Sequence, residues 1–539
     1  NTTLDTSAEV VLADNPTLKA FNMSSGGQID LSSEVMTVQH DVTALASSTL
    51  TLADGNLDVG GDLSAGGTLS ATSSLLTVAG TATISGTTTL TDSNLTTSGR
   101  ADFTGGTTTL DGGEMRLGLD VTSNGTAMTM SNGAAITVLD GLLKAGVEAS
   151  NHYFEMENAT LTINGPTAQV EADNFRLNSG GVLNVVEGNF LGLPAVYPSF
   201  LVDGGEINVS GGQLNLQNST HVGRGCQLVL KDGNMTVTDG IVRGRQVYVG
   251  RDTYGGSAGS ATLTQTGGHI SSSRAAAVGH NDVATYPGST GTLLLQGGTF
   301  EHPKLTVART GTVEASNGAQ MNIGNLYVDG SMTVADANLN NTYEIWIAQA
   351  GDGYLEVGSD AGWFSYRGIE VAAAGDANMS GTLWLHAGQG DDLISSGGSG
   401  MAGNIGRDDG NGTGTVILGD ATGGATWVGS YYGMDTGVRK TGTLRGRGTA
   451  YMAHLDRRFV MDGKVIADGF GDKSATLNIT RTGWTEAGEY QTSNFIDNPT
   501  DGNSGWYATN GAKLVMLGIG RYDGGRRPIQ VSAINGETY

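Results

Sequence analysis

Apolar and polar residues alternate along this chain in short bursts. Between residues 50 and 84 they read Leu50-Thr51-Leu52, Leu57-Asp58-Val59, Leu76-Thr77-Val78 and Ala82-Thr83-Ile84. A period of two predicts short strands with one buried face. Gly60-Gly61, Gly66-Gly67 and Gly80 interrupt the bursts every few residues and predict tight corners. No apolar run approaches the roughly 18 residues of a membrane-spanning helix.

Further along, the pattern repeats. Val222-Gly223-Arg224, Val249-Gly250-Arg251, Val278-Gly279-His280 and Val307-Ala308-Arg309 start 27, 29 and 29 residues apart, and Ile405-Gly406-Arg407 echoes them. A second phrase, Ala261-Thr262-Leu263-Thr264-Gln265-Thr266-Gly267-Gly268, returns as Gly291-Thr292-Leu293-Leu294-Leu295-Gln296-Gly297-Gly298. One such unit cannot cover its own apolar face, so units must stack. Stacking in parallel pairs every backbone group with the coil above and below. The prediction is an all-β chain: a parallel β-helix solenoid. At roughly 20 to 30 residues per coil, the first 425 residues give about 15 to 20 coils, a body on the order of 80 Å long. Residues 150 to 200 are less regular, with Phe154, Phe175, Phe190 and Tyr197, and suggest an insertion. All six tryptophans lie beyond residue 345, and the Val-Gly-Arg rhythm stops near 425. The expected organisation is an irregular solenoid over 1–200, a regular one over 201–425, and a β-rich C-terminal cap domain over 426–539.

Composition supports a folded chain. Gly occurs 87 times with only 8 Pro, so collagen is excluded, and 38% hydrophobic with 15% charged residues argues against disorder. The net charge of −25 argues against a nucleic-acid partner. Residues 426–539 hold 13 basic and 11 acidic groups, so the first 425 carry a net charge of −27. Cys226 is the sole cysteine and reads as a small buried residue, so there is no disulfide framework. The sequence begins at Asn1 without Met, as expected if a leader was removed or lies outside the numbering.

The Val249-Gly250-Arg251-Asp252 phrase and the Gly-(Thr/Ala)-Leu-x-x-x-Gly-Gly phrase resemble large secreted β-helical proteins of Planctomycetes-like bacteria. They are also similar to autotransporter-associated β-strand repeats and PEP-CTERM-type exported proteins. The likeness covers residues 200 to 425 most fully and residues 30 to 200 loosely. Asp497-Asn498-Pro499-Thr500-Asp501-Gly502, Gly505-Trp506-Tyr507 and Gly511-Ala512-Lys513-Leu514 look like a terminal segment of such proteins. The resemblance implies export, a right-handed parallel β-helix and a surface or matrix role. It transfers no catalytic residues, and neither a PEP-CTERM anchor nor a translocator barrel is visible.

Candidate chemistry is sparse. Gly388-Gln389-Gly390-Asp391-Asp392 approaches a calcium-binding β-roll repeat, and Arg407-Asp408-Asp409-Gly410 adds turn acids. Asp391, Asp392, Asp408 and Asp409 are therefore candidate calcium ligands, with acidic turns as the plainer reading, and no other cofactor is expected. Asp252, His280, Asp282 and Arg309 recur at matching repeat positions, as polysaccharide-cleaving β-helices would need. Corner stacking accounts for them equally, and no enzyme activity is expected. Tyr248, Tyr286, Tyr431, Tyr432, Trp484 and Trp506 are candidates to stack on sugars, or to fill the core of the cap. Arg439, Lys440, Arg445, Arg447, Arg457 and Arg458 form a basic cluster suited to contact an acidic neighbouring subunit. The expectation is an extracellular or cell-surface structural protein that self-associates into a fibre, sheath or matrix. The alternative is a monomeric adhesin that binds glycans through its aromatic C-terminal half.

Overall fold

Strand after strand shows the burial pattern that period-two alternation predicts. In Thr49–Ala53 the side chains of Leu50 and Leu52 point inward and are buried, while Thr51 between them faces out. The computed structural model describes residues 9–11, 17–23, 26–122, 125–147, 151–192, 199–217, 226–251, 259–341, 343–361, 363–365, 368–373, 379–389, 403–409, 411–428, 436–451, 459–480, 495–497, 505–509, 511–516 and 531–533. Among them there is no helix, and the strands pair in parallel. The chain is an all-β parallel solenoid. It forms two compact units, Asn1–Tyr248 with Asp252–Ser273, and Val249–Arg251 with Arg274–Tyr539.

In the early coils of the first unit there are three strands to a coil. Thr49–Ala53, Asn56–Val59 and Leu63–Ala65 lie directly under Thr68–Thr72, Leu75–Val78 and Ala82–Ile84, and all three sides keep the same step along the chain. Corner side chains tie coil to coil. The Gly55 N–H donates to Ser74 Oγ (3.2 Å) and the Ser74 N–H to Ser93 Oγ (3.1 Å), one rung per coil. Asp62 Oδ1 accepts from the Thr81 N–H at 2.7 Å in the same manner. These bonds satisfy backbone donors that the strands leave exposed at each bend.

From Thr107 onward the coils lengthen. Thr107 pairs with Ala135, Ala135 with Thr160, and Thr160 with Val182, so the step jumps at once and then shrinks again coil by coil. The added residues lie at corners, and His152 pins one of them. Its Nε2 is 2.8 Å from Val121 O, and its Nδ1 accepts from the Val147 N–H at 3.0 Å.

The insertion expected at 150–200 is, over its described residues, a run of ordinary coils with aromatic cores. Phe154, Phe175, Phe190 and Phe200 are buried, with ring centroids 4.6 to 5.2 Å apart. Nor does the ladder break near residue 200, because Ser199–Val209 pairs with Asn174–Asn178 and Val182–Val185 before it and Gln227–Val237 after it. Cys226 is buried as expected. Burial first, then the charge of Asp173, pushes its thiol far above the usual range.

The second unit explains the Val-Gly-Arg phrase. Val278 and Ile405 end strands or short bridges with their side chains in the core, and the next residue turns the corner with positive φ: Gly279 (74°) and Gly406 (75°). Gly250 (69°) holds the same conformation after Val249. Ala348 (63°) and Ala372 (50°) do so in later coils. A left-handed residue packed against the next coil's backbone is where glycine costs least.

Beyond residue 425 the same ladders continue. Thr413–Leu418 pairs with Gly442–Gly446, which pairs with Lys464–Asp468, and that with Gly505–Thr509. A second side runs through Ala425–Val428, Gly448–Tyr451, Thr476–Thr480 and Lys513–Met516. Trp427 and Trp506 are 0% and 1% exposed and fill the coil interior, the role that a cap core would have given them.

Candidate functional site

The second unit gathers most of the polar chemistry on its outward positions. Strand Ser380–Leu385 alternates Leu383 and Leu385 inward with Thr382 and Trp384 outward, and His386 follows at its end. Glu356 lies in register with Trp384 one coil earlier, and Asp420 follows the strand Thr413–Leu418 one coil later. His386 joins all three coils, with Nε2 2.8 Å from Glu356 Oε1 and Nδ1 2.9 Å from Asp420 Oδ2. Each ring nitrogen is thus engaged by a carboxylate of a neighbouring coil.

The surroundings hold this bridge still. Tyr354 donates its hydroxyl to Glu356 at 2.7 Å, Trp384 Nε1 donates to Gly419 O at 3.1 Å, and the Trp384 ring stacks on His386 at 4.3 Å. Burial, and then the Glu356 bond, raise the Tyr354 hydroxyl far above its ordinary range. Burial by itself would raise the Asp420 carboxyl. Bonds from the Thr422 hydroxyl and amide, the Ala387 N–H and His386 outweigh it and hold the group well below the usual range.

A second cluster runs along another side. Thr306, Tyr327, Trp346 and Glu370 are register partners in successive coils. Tyr327 and Trp346 stack face to face at 4.5 Å and 14°, and Lys304 Nζ sits 4.0 Å from the centroid of the Tyr327 ring. These ring contacts join side chains of successive coils. Burial raises the carboxyls of Glu344 and Glu370, and Glu370 is raised further by Glu344.

Beside it lies a polar crevice of 280 Å³ lined by Ala373, Asn404, Gly406, Arg407, Asp408, Asp409 and Arg439. Arg407 pairs with Asp409 at 2.6 Å and Arg439 with Asp408 at 3.3 Å, while Arg439 Nε donates to Asn404 at 3.1 Å. The Asn411 N–H, then Arg407, hold Asp409 below the ordinary carboxylate range.

The crevice therefore brings together residues expected to serve different purposes. Asp408 and Asp409, offered as calcium ligands, are bonded to guanidinium groups instead. Among the described residues no group of three His, Cys, Asp or Glu could hold a metal ion. Asp391 and Asp392 lie outside the described residues.

The basic cluster is also turned inward on the chain's own acids. Besides Arg439, Arg445 pairs with Asp468, and Arg447, whose side chain is 8% exposed, pairs with Asp472 at 2.9 Å. Lys440 is exposed, and Arg457 and Arg458 lie outside the described residues. Trp506, offered for sugar stacking, is buried; Tyr431, Tyr432 and Trp484 lie outside the described residues.

Compared with known proteins, the chain matches no family model and no curated sequence. No role can therefore be aligned onto these residues, and their own geometry has to carry the reading.

The recurring positions His280, Asp282 and Arg309 are corner groups. His280 Nδ1 accepts from the Asp282 N–H at 2.9 Å and its ring packs on Tyr286 at 4.2 Å. Asp282 Oδ1 caps the Thr285 N–H at 2.9 Å, and the Arg309 N–H donates to Asn281 at 3.0 Å. Asp252 lies outside the described residues. Sequence reasoning missed the His386 bridge and the Tyr327–Trp346 stack. The signal was there in Tyr354-x-Glu356 and Trp384-x-His386, outward pairs two residues out of step in the Gly-x-Leu strands of two successive coils.

Proposed function

We propose that this chain is an extracellular structural protein, a stiff solenoid that associates with copies of itself at or beyond the cell surface. The observation that carries this reading is what the polar side chains at the corners and strand faces bond to. Arg407, Arg439, Arg445, Arg447 and His386 each bond an acid of this same chain, most of them an acid of a different coil. Bonds of that kind add to the lateral rigidity of a ladder whose backbone is already paired. Self-association draws support from the charge distribution, net −27 over residues 1–425 against a near-neutral remainder. Export draws support from the likeness to secreted bacterial β-helix repeats. The internal ion pairs weaken the case for Arg439, Arg445 and Arg447 as the contact itself, so the contact is assigned to no residue.

Light scattering after size exclusion, with negative-stain images at low and moderate salt, tests this reading. Multimers or filaments that dissociate as salt rises are expected. Monodisperse single chains under every condition would overturn self-association.

A further inference from the structure

One side of the first unit carries two outward columns without a charged side chain over its four most regular coils. Its strands open with the outward pairs Thr49/Thr51, Thr68/Ser70, Thr87/Thr89 and Thr107/Thr109, stacked in unbroken parallel register. Thr72 and Thr91 add a third column. All ten side chains are exposed or half-exposed, and the residues between them point into the core. Parallel strands set the rows about 4.8 Å apart, and alternate residues set the columns about 6.7 Å apart. Threonine is stiff at χ1, so hydroxyls and methyls stand in ranks before any partner arrives. The other two sides of the same coils are mixed, with Asp58 and Asn94 on one and Asp102 on the other.

The occupant of such a face must be uncharged and must repeat in two dimensions. A second copy is disfavoured by the rim. Asp30 precedes the array in register, Asp111 follows it, and exposed Asp54 and Asp92 flank it, so two such faces would bring carboxylates together. The rim likewise repels acidic glycans, and the array holds no aromatic ring to stack on a neutral sugar. Water in a lattice meets the requirement, because both spacings lie close to the oxygen repeats of the prism plane of hexagonal ice. We propose that this threonine face binds ice. Waters held in the troughs donate to and accept from the hydroxyls, the methyls restrict them, and the ordered layer joins the crystal. This goes beyond the structural role and does not depend on self-association.

Ice-recrystallisation inhibition and thermal hysteresis of the full chain test the proposal, beside Thr89→Tyr at the centre of the array. Thr77→Tyr, at an outward position on the adjoining side between Asp58 and Thr96, is the control. The wild type and Thr77→Tyr should restrain ice growth equally, and Thr89→Tyr should lose about tenfold in potency at an unchanged melting temperature. No ice activity in the wild type would overturn the proposal. So would equal loss in both variants, or retention on crystalline cellulose or chitin without any effect on ice.

Discussion

The coils at residues 49–106 and those at residues 353–446 are built from the same parallel ladders, yet only the second set carries clustered chemistry. Coil length accounts for the difference. The first set steps from Thr49 to Thr68, Thr87 and Thr107, and nearly every residue between is strand or the shortest possible corner. The second steps more widely, from Gly353 to Gly381, Gly414 and Gly442. Among the described residues, Asp420 and Asp408 lie outside the strands and bond side chains of neighbouring coils, His386 and Arg439. Short coils give a uniform surface set by strand residues alone. Long coils give crevices and bridges, and in this chain those bridges close on themselves.

Substitutions can break that contrast, and the corner glycines should do so most severely. A Cβ on Gly406 would collide with the backbone nitrogen of Gly442, at a φ of 75°. Gly406→Val should cost more than about 3 kcal/mol, or prevent folding of the long coils. Gly66 turns a short coil without positive φ, and the nearest atom to an added Cβ is Ala44 O at 3.2 Å. Gly66→Ala should therefore cost no more than about 1 kcal/mol. Urea unfolding of the two variants side by side measures the gap.

The His386 bridge sharpens the contrast through pH. Asp420 has a folded-state pKa held below its unfolded value, so its stabilisation is fully present above about pH 4 and is lost as pH falls through the folded value. Asp420→Asn should destabilise the protein by roughly 1–3 kcal/mol at neutral pH. Its melting temperature should converge with the wild type in acid. A difference that persists unchanged at low pH would contradict the assignment.

The smallest effect belongs to the first unit's surface. Arg116 and Glu114 are 2.6 Å apart with side chains 48% and 41% exposed. Arg116→Ala should change stability by less than about 1 kcal/mol, and less still in high salt. A thermal melt in two salt concentrations checks it.

Local alternation was enough to read the class of fold, because each strand's inward residues are apolar whatever the coil length. The Val-Gly-Arg phrase was also legible, since a left-handed corner repeats wherever a coil must turn there. The short coils of the first unit were harder to see: their corners fall at Gly60-Gly61, Gly66-Gly67 and Gly80, and no apolar phrase is long enough to mark a period. Continuity past residue 425 was hidden by coil length as well, because the partner of Lys464 is as far along the chain as Gly505. The site was the least legible part. Arg439 and Asp408 are 31 residues apart and Arg447 and Asp472 25 apart, so a basic cluster in the sequence is a set of separate ion pairs in the fold. Charge runs along a solenoid report on neighbours one coil away, and only the register says which.

Register is therefore the claim to test most directly, and paired cysteines read it without ambiguity. Thr51→Cys with Ser70→Cys places two thiols on register partners of adjacent coils, about 4.8 Å apart at Cα, within disulfide range. Thr51→Cys with Thr89→Cys spans two coils, about 9.6 Å, and Cys226 is buried out of reach. Oxidation should close the first pair nearly completely and the second hardly at all, as read by mass spectrometry of the digested chain. Closure of the second pair in preference to the first would contradict the register of the short coils and the account of the surface built on it.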